Sequence, residues 1–164
     1  SGTLVVLVPV LVMSAGQIAG GLAWLAISGE DAPDLVATAP INGRTVLRAK
    51  IEAVIGSVAF VLALIVAALA TASLWAAFVT AVGVLVAAAS STAIQLFFRA
   101  QAKRSHFRRR QTSSRVATFA EAFSSIGWAA TAGLAAAGSM LAPFAAIGAL
   151  LVLVVAGMAR PRPT

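Results

Sequence analysis

Side chains able to do chemistry are few in this sequence, and their spacing decides most of what it can do. One histidine, His106, stands among cations. Glu30, Asp31 and Asp34 share one polar stretch, whereas Glu52 and Glu121 stand apart. General acid–base work needs titratable groups held within reach of one reacting atom, and a Ser-His-Asp relay needs a histidine that touches both partners. An isolated imidazole among lysines and arginines meets neither need, and without a second ligand it holds no metal. Cysteine is absent, which removes disulfides, thiolate catalysis and cysteine metal sites together. No Gly-x-x-x-x-Gly-Lys-Ser/Thr phosphate loop occurs, so any nucleotide hydrolysis must come from a partner. The sequence therefore reads as a non-enzyme, with no cofactor and no metal expected.

The elements that carry these side chains are long and apolar. Of 164 residues 60% are hydrophobic and 10% charged, and the mean hydropathy is +0.98. A soluble domain of this size needs a charged exterior that this composition does not supply. The fold class expected is all-α, a polytopic helical membrane protein forming a single domain. It has about five spans: Leu4 to Ile27, Ile51 to Ala70, Leu74 to Phe98, Val116 to Ala137 and Phe144 to Ala159. Gly16 and Gly20 form a GxxxG step in the first span, and Ala129, Gly133 and Ala137 a small-residue stripe in the fourth. Both read as helix-packing surfaces. Gln17 must find a partner inside the membrane, either a neighbouring helix or a transported molecule. The hydroxyls of Ser90, Ser91 and Thr92 can bond to carbonyls of their own helix.

Turns and caps divide the spans. Thr71-Ala72-Ser73 makes a tight hairpin with Trp75 beside it at an interface, and Gly138-Ser139 with Pro143 marks a second short turn. Glu52 reads as a charge at the N-terminal end of the second span, facing the positive end of the helix dipole. Thr118 and Glu121 have the capping-box spacing, so a helix is expected to start or re-form at Thr118 with Glu121 as its cap. All five acids thus fall near span ends, and no ionisable group is expected well inside a span.

Two polar segments remain. Residues 28–50 form an elbow. Asp31 caps a short helix with Pro33 in its first turn, Pro40 ends it, Asn42-Gly43 turns the chain, and a second helix begins at Arg44. Residues 99–115 hold seven of the twelve Lys and Arg residues and no acid. Arg104, Arg108, Arg109, Arg110 and Arg115 there read as contacts to anionic lipid headgroups, as a determinant of orientation, or as both. Nucleic acid is not an expected partner, because the basic residues lie between spans and Phe107 is the segment's one aromatic. The remaining cations are Arg44, Arg48 and Lys50 in the elbow and Arg160 and Arg162 at the C-terminal end. With five spans all twelve share one side, which the positive-inside rule makes the cytoplasm. The N-terminus is then outside and the C-terminus cytoplasmic. Ser1 opens the sequence without a basic stretch before the first apolar run, so it reads as the start of a processed chain or a fragment and not as a signal peptide.

The elbow resembles that of permease subunits of ATP-binding-cassette exporters of the type-two export class. In that family an acidic helical segment follows a span, runs into a Leu-x-Ala-Thr/Ser-x-Pro-Val/Ile step, and passes a basic turn to a Lys that opens the next span. The corresponding residues here are Glu30, Leu35, Ala37, Thr38, Pro40, Ile41, Arg44 and Lys50. Ala32-Pro33-Asp34 stands where Thr-Leu-Glu is usual, and Asn42-Gly43 where Ser-Arg is. The resemblance implies the later portion of such a permease, in a bacterial inner membrane. The elbow would then dock on a separate ATPase subunit through Glu30, Asp34, Leu35, Val36, Pro40 and Arg44. The other reading is a non-catalytic accessory subunit, part of a larger inner-membrane complex that it stabilises by packing and lipid contacts.

Overall fold

The computed structural model describes residues 2–28, 38, 40–98 and 107–159, except the side chains of 27, 28 and 107–114. The described residues form five helices and no strand: α1 Gly2–Ser28, α2 Gly43–Ala72, α3 Leu74–Phe97, α4 Phe107–Ala136 and α5 Ala142–Met158. Three are long and apolar enough to cross a membrane, over Gly2–Ala26, Gly43–Ala72 and Leu74–Phe97. The 17-residue α5 is apolar but shorter, about 26 Å at the usual rise.

Local chemistry sets the helix ends. Asn42 has extended backbone and its Oδ1 accepts the Arg44 N–H at 3.0 Å, so α2 starts at Gly43. Ser73 alone separates α2 from α3. Its N–H donates to the Leu69 carbonyl, closing one helix, while its Oγ accepts the Ala76 N–H at 3.2 Å, opening the next. At the end of α4 the Gly138 N–H reaches Ala135 and the Ser139 N–H reaches Leu134, a Schellman closure. That closure needs the left-handed backbone of Gly138, whose φ is 69°. Pro143 lies in the first turn of α5, where a missing N–H costs nothing.

The core lies between α1, α3 and α4, with α2 packed on α1 and α3 and α5 on α4. Val8, Val12, Ala15, Ala19 and Ala23 of α1, Val54, Val58 and Leu62 of α2, and Val84, Ala87 and Ala88 of α3 are all buried. Lipid chains are as apolar as these side chains, so close packing rather than water exclusion holds such helices together. Small residues permit that closeness: a Cβ at Gly127 would sit 2.8 Å from that of Ala149, and one at Gly133 would sit 3.3 Å from the Pro9 ring.

These contacts fix helix directions. Gly83 meets Val12 and Ala132, and Gly16 meets Ser91 and Ser125. α1 therefore runs parallel to α3 and antiparallel to α4. Ala26 shares a groove with Thr45 and Lys50, and Phe97 touches Gly157, so these ends lie together. Trp75 lies at the opposite end, where its Nε1 donates to the Ala135 carbonyl at 3.1 Å.

Candidate functional site

Where α1, α3 and α4 meet, polar side chains replace apolar ones. Glu121, Ser124 and Ser125 face inward from α4, and Ser90, Ser91 and Gln95 lie on α3. On α4 the spacing 121, 124, 125 and 128 is that of one helical face, and Trp128 completes it by donating its Nε1–H to Ser90 Oγ at 2.9 Å. Gln95 Nε2 donates to Glu121 Oε2 at 2.7 Å. Gly16 and Gly20 of α1 make room for this cluster. A Cβ at Gly20 would lie 1.5 Å from Glu121 Oε1, and one at Gly16 would lie 2.4 Å from Ser125 Oγ and 3.3 Å from Ser91 Oγ. The GxxxG step thus admits polar side chains of α3 and α4.

Three threonine hydroxyls in the bundle are satisfied on their own helices. Thr80, Thr92 and Thr131 donate to Ala76, Ala88 and Gly127 at 2.7, 2.8 and 2.8 Å. The Oγ atoms of Ser91, Ser124 and Ser125 are buried without a partner. Each such hydroxyl costs about 1–3 kcal/mol relative to a paired one.

Three expectations from the sequence are corrected. α4 runs unbroken from Phe107 through Thr118, so Glu121 is no cap but an interior carboxylate, 8% exposed. Glu52 lies beyond the first turn of α2, which begins at Gly43, and pairs with Arg48 one turn back at 2.5 Å. Ala137 is exposed in the turn after α4, outside the packing stripe whose members Ala129 and Gly133 are buried. Gln17 is exposed on the outer surface of α1, where it lines a shallow groove with Val10, Met13, Ser14 and Ile18.

Of the docking residues, Pro40 and Arg44 are exposed, and Glu30, Asp34, Leu35 and Val36 lie outside the described residues. Among the headgroup candidates Arg115 is exposed, Arg108, Arg109 and Arg110 lie on α4 with side chains outside the description, and Arg104 is outside it altogether. Sequence reasoning missed the inward cluster because it weighed Thr118 and Glu121 as a local pair. The 121, 124, 125, 128 periodicity was the signal that could have found it.

No family model matches the chain, and no curated protein or solved structure matches it.

Proposed function

We propose that this chain is the membrane-spanning subunit of an exporter driven by a separate ATPase, with residues 29–50 as the docking segment. The observation that carries this reading is α2, one helix from the capped, exposed Asn42–Arg44 end to Ala72. A continuous helix is a rigid rod, so a displacement imposed at its polar end is delivered to the Ser73 end of the bundle. A groove of about 470 Å³ lined by Ala26, Ile41, Thr45, Val46, Ala49, Lys50 and Ala53 opens beside that polar end. The docking residues come from the resemblance of the elbow to that of type-two exporters.

All five helices span in this reading. α4 supports it by being inside out: Phe119 is 64% exposed and Phe123 60%, whereas Glu121 is 8% exposed and Ser124 and Ser125 are fully buried. Such a helix suits a lipid solvent and not water. Arg44, Arg48, Lys50 and Arg115 then mark the cytoplasmic end of a bundle in a bacterial inner membrane, facing anionic headgroups.

The experiment is co-purification from mild detergent together with the ATPase rate in reconstituted vesicles. Leu35→Asp should release the ATPase and abolish coupled hydrolysis while the helices still insert, since burying a leucine contributes roughly 1.5–3 kcal/mol before association costs. Met140→Asp, in the exposed turn at the other end, should do neither. Retention of the ATPase by Leu35→Asp, or failure to recover any ATPase, would leave the accessory-subunit reading in its place.

A further inference from the structure

Gln17 is the strongly polar side chain of α1, and the bundle does not absorb it. It is exposed on a helix long and apolar enough to cross a membrane, and it makes no hydrogen bond to any other described residue. Lipid chains offer an amide neither donor nor acceptor. Headgroups are out of reach as well: Gln17 lies about 3 Å along the axis from the middle of the 27-residue α1, whereas the hydrocarbon core extends about 15 Å to either side of its centre. The helix surface around it is shaped for a neighbour. Val10, Met13, Ser14 and Gln17 edge a shallow groove, and their i, i+3, i+4, i+7 spacing is that of the four-residue hole that takes one side chain of a facing helix. Alternating steps of four and three continue through Val10, Ser14, Gln17, Gly21 and Trp24, the seam of a left-handed helix pair. Gly21 has open space where a side chain would stand.

We propose that the outer face of α1 is the contact between two copies of this chain, paired in parallel about a two-fold axis with their Gln17 amides hydrogen-bonded to each other. Copies inserted in the same direction bring α1 to α1 in parallel, so Gln17 meets Gln17 at the same depth. A primary amide both donates and accepts, so two of them exchange N–H to O=C bonds, and a two-fold interface requires that kind of self-complementarity. A foreign helix would have to bring its own polar group to this depth. A charged group there would stay uncompensated, since α1 has no Asp, Glu, Lys or Arg. Ser14 of the second copy fills the groove between Val10 and Gln17. Its small size, with Gly21 one heptad on, lets the two backbones approach closely enough for the amides to meet. Gly16 and Gly20 are not part of this face, being occupied by Ser125 and Glu121 inside the bundle. The inference depends on the bundle and not on the exporter reading.

The test uses sedimentation equilibrium of the full chain in density-matched detergent over a series of protein-to-detergent ratios. The unaltered chain should show a monomer–dimer equilibrium, and Gln17→Leu should raise its dissociation constant about tenfold. Because Gln17 faces outward, that substitution leaves the bundle's own packing untouched. A second measurement keeps Gln17 in place: the sequence has no native cysteine, so Val10→Cys in cell membranes should form disulfide-linked dimers on oxidation, while Phe60→Cys, at a position of α2 that is 83% exposed, should not. A chain monomeric at every ratio, a Gln17→Leu variant that dimerises like the unaltered chain, or cross-linking at Phe60→Cys as strong as at Val10→Cys would each overturn the proposal. So would a monomer that holds a different membrane subunit and loses it in Gln17→Leu, which would give this face to a foreign helix.

Discussion

Replacing Gly20 with alanine tests the geometry of the buried cluster without touching a polar group. The added methyl would lie 1.5 Å from Glu121 Oε1 and 2.2 Å from its Cδ, distances no real contact sustains. A carboxylate is the end of a flexible side chain, so it moves before the helices do. Moving it breaks the 2.7 Å bond from Gln95. A hydrogen bond to a charged group contributes about 1.5–3 kcal/mol, and overpacking adds about 1–3 kcal/mol. Helix preference favours alanine by about 1 kcal/mol, but this cancels against Gly21→Ala, whose methyl meets nothing within 4 Å. The two adjacent variants should therefore differ by about 2.5–6 kcal/mol, measured by denaturant titration in mixed micelles. In a Glu121→Ala background the difference should shrink by most of that amount, because the obstructing group is gone. Equal stability of Gly20→Ala and Gly21→Ala would refute the placement of Glu121 against α1.

Two further outcomes follow from the same bundle. The sequence has no native cysteine, so single cysteines at Ser73 and Ser139 should react with an impermeant thiol reagent applied to intact cells, and one at Ser105 should not; the opposite pattern would invert the orientation. Gly127→Ala should cost about 1–3 kcal/mol by pressing on Ala149, whose Cα would lie 3.1 Å from the new methyl, whereas Gly148→Ala meets open space and should gain up to about 1 kcal/mol from helix preference. Chemical denaturation of both variants decides this.

The elements were legible from the sequence because lipid imposes one rule over long stretches, and turn residues punctuate it. Thr71-Ala72-Ser73 and Gly138-Ser139 were read as turns, and Ser73 and Gly138 carry the caps that close them. Ends were less legible, because an apolar run marks where lipid begins and not where a helix does. The second helix was expected from Arg44 and begins at Gly43, but Glu52 was read from the start of the apolar run at Ile51, which set it against a helix end that lies well upstream. Ala137 continues the small-residue spacing by one step, yet α4 ends at Ala136, just ahead of the Gly138 turn. The polar cluster was least legible. A Thr-x-x-Glu spacing is identical at a helix start and within a helix, and only the α1 and α3 residues facing Glu121 distinguish them.

Those facing residues also bear on why serines stand there. Alanine is close to serine in volume and leaves no unpaired oxygen, so a purely packed interface would be served better by alanine at Ser91 and Ser125. Thr80, Thr92 and Thr131 show the alternative open to a hydroxyl, a bond to its own helix, which these serines do not make. Ser125→Ala should therefore raise stability by about 1–3 kcal/mol, read by chemical denaturation in mixed micelles. A loss of stability in that variant would show that the Ser125 hydroxyl has a favourable partner in the folded chain and would refute its reading as an unpaired group.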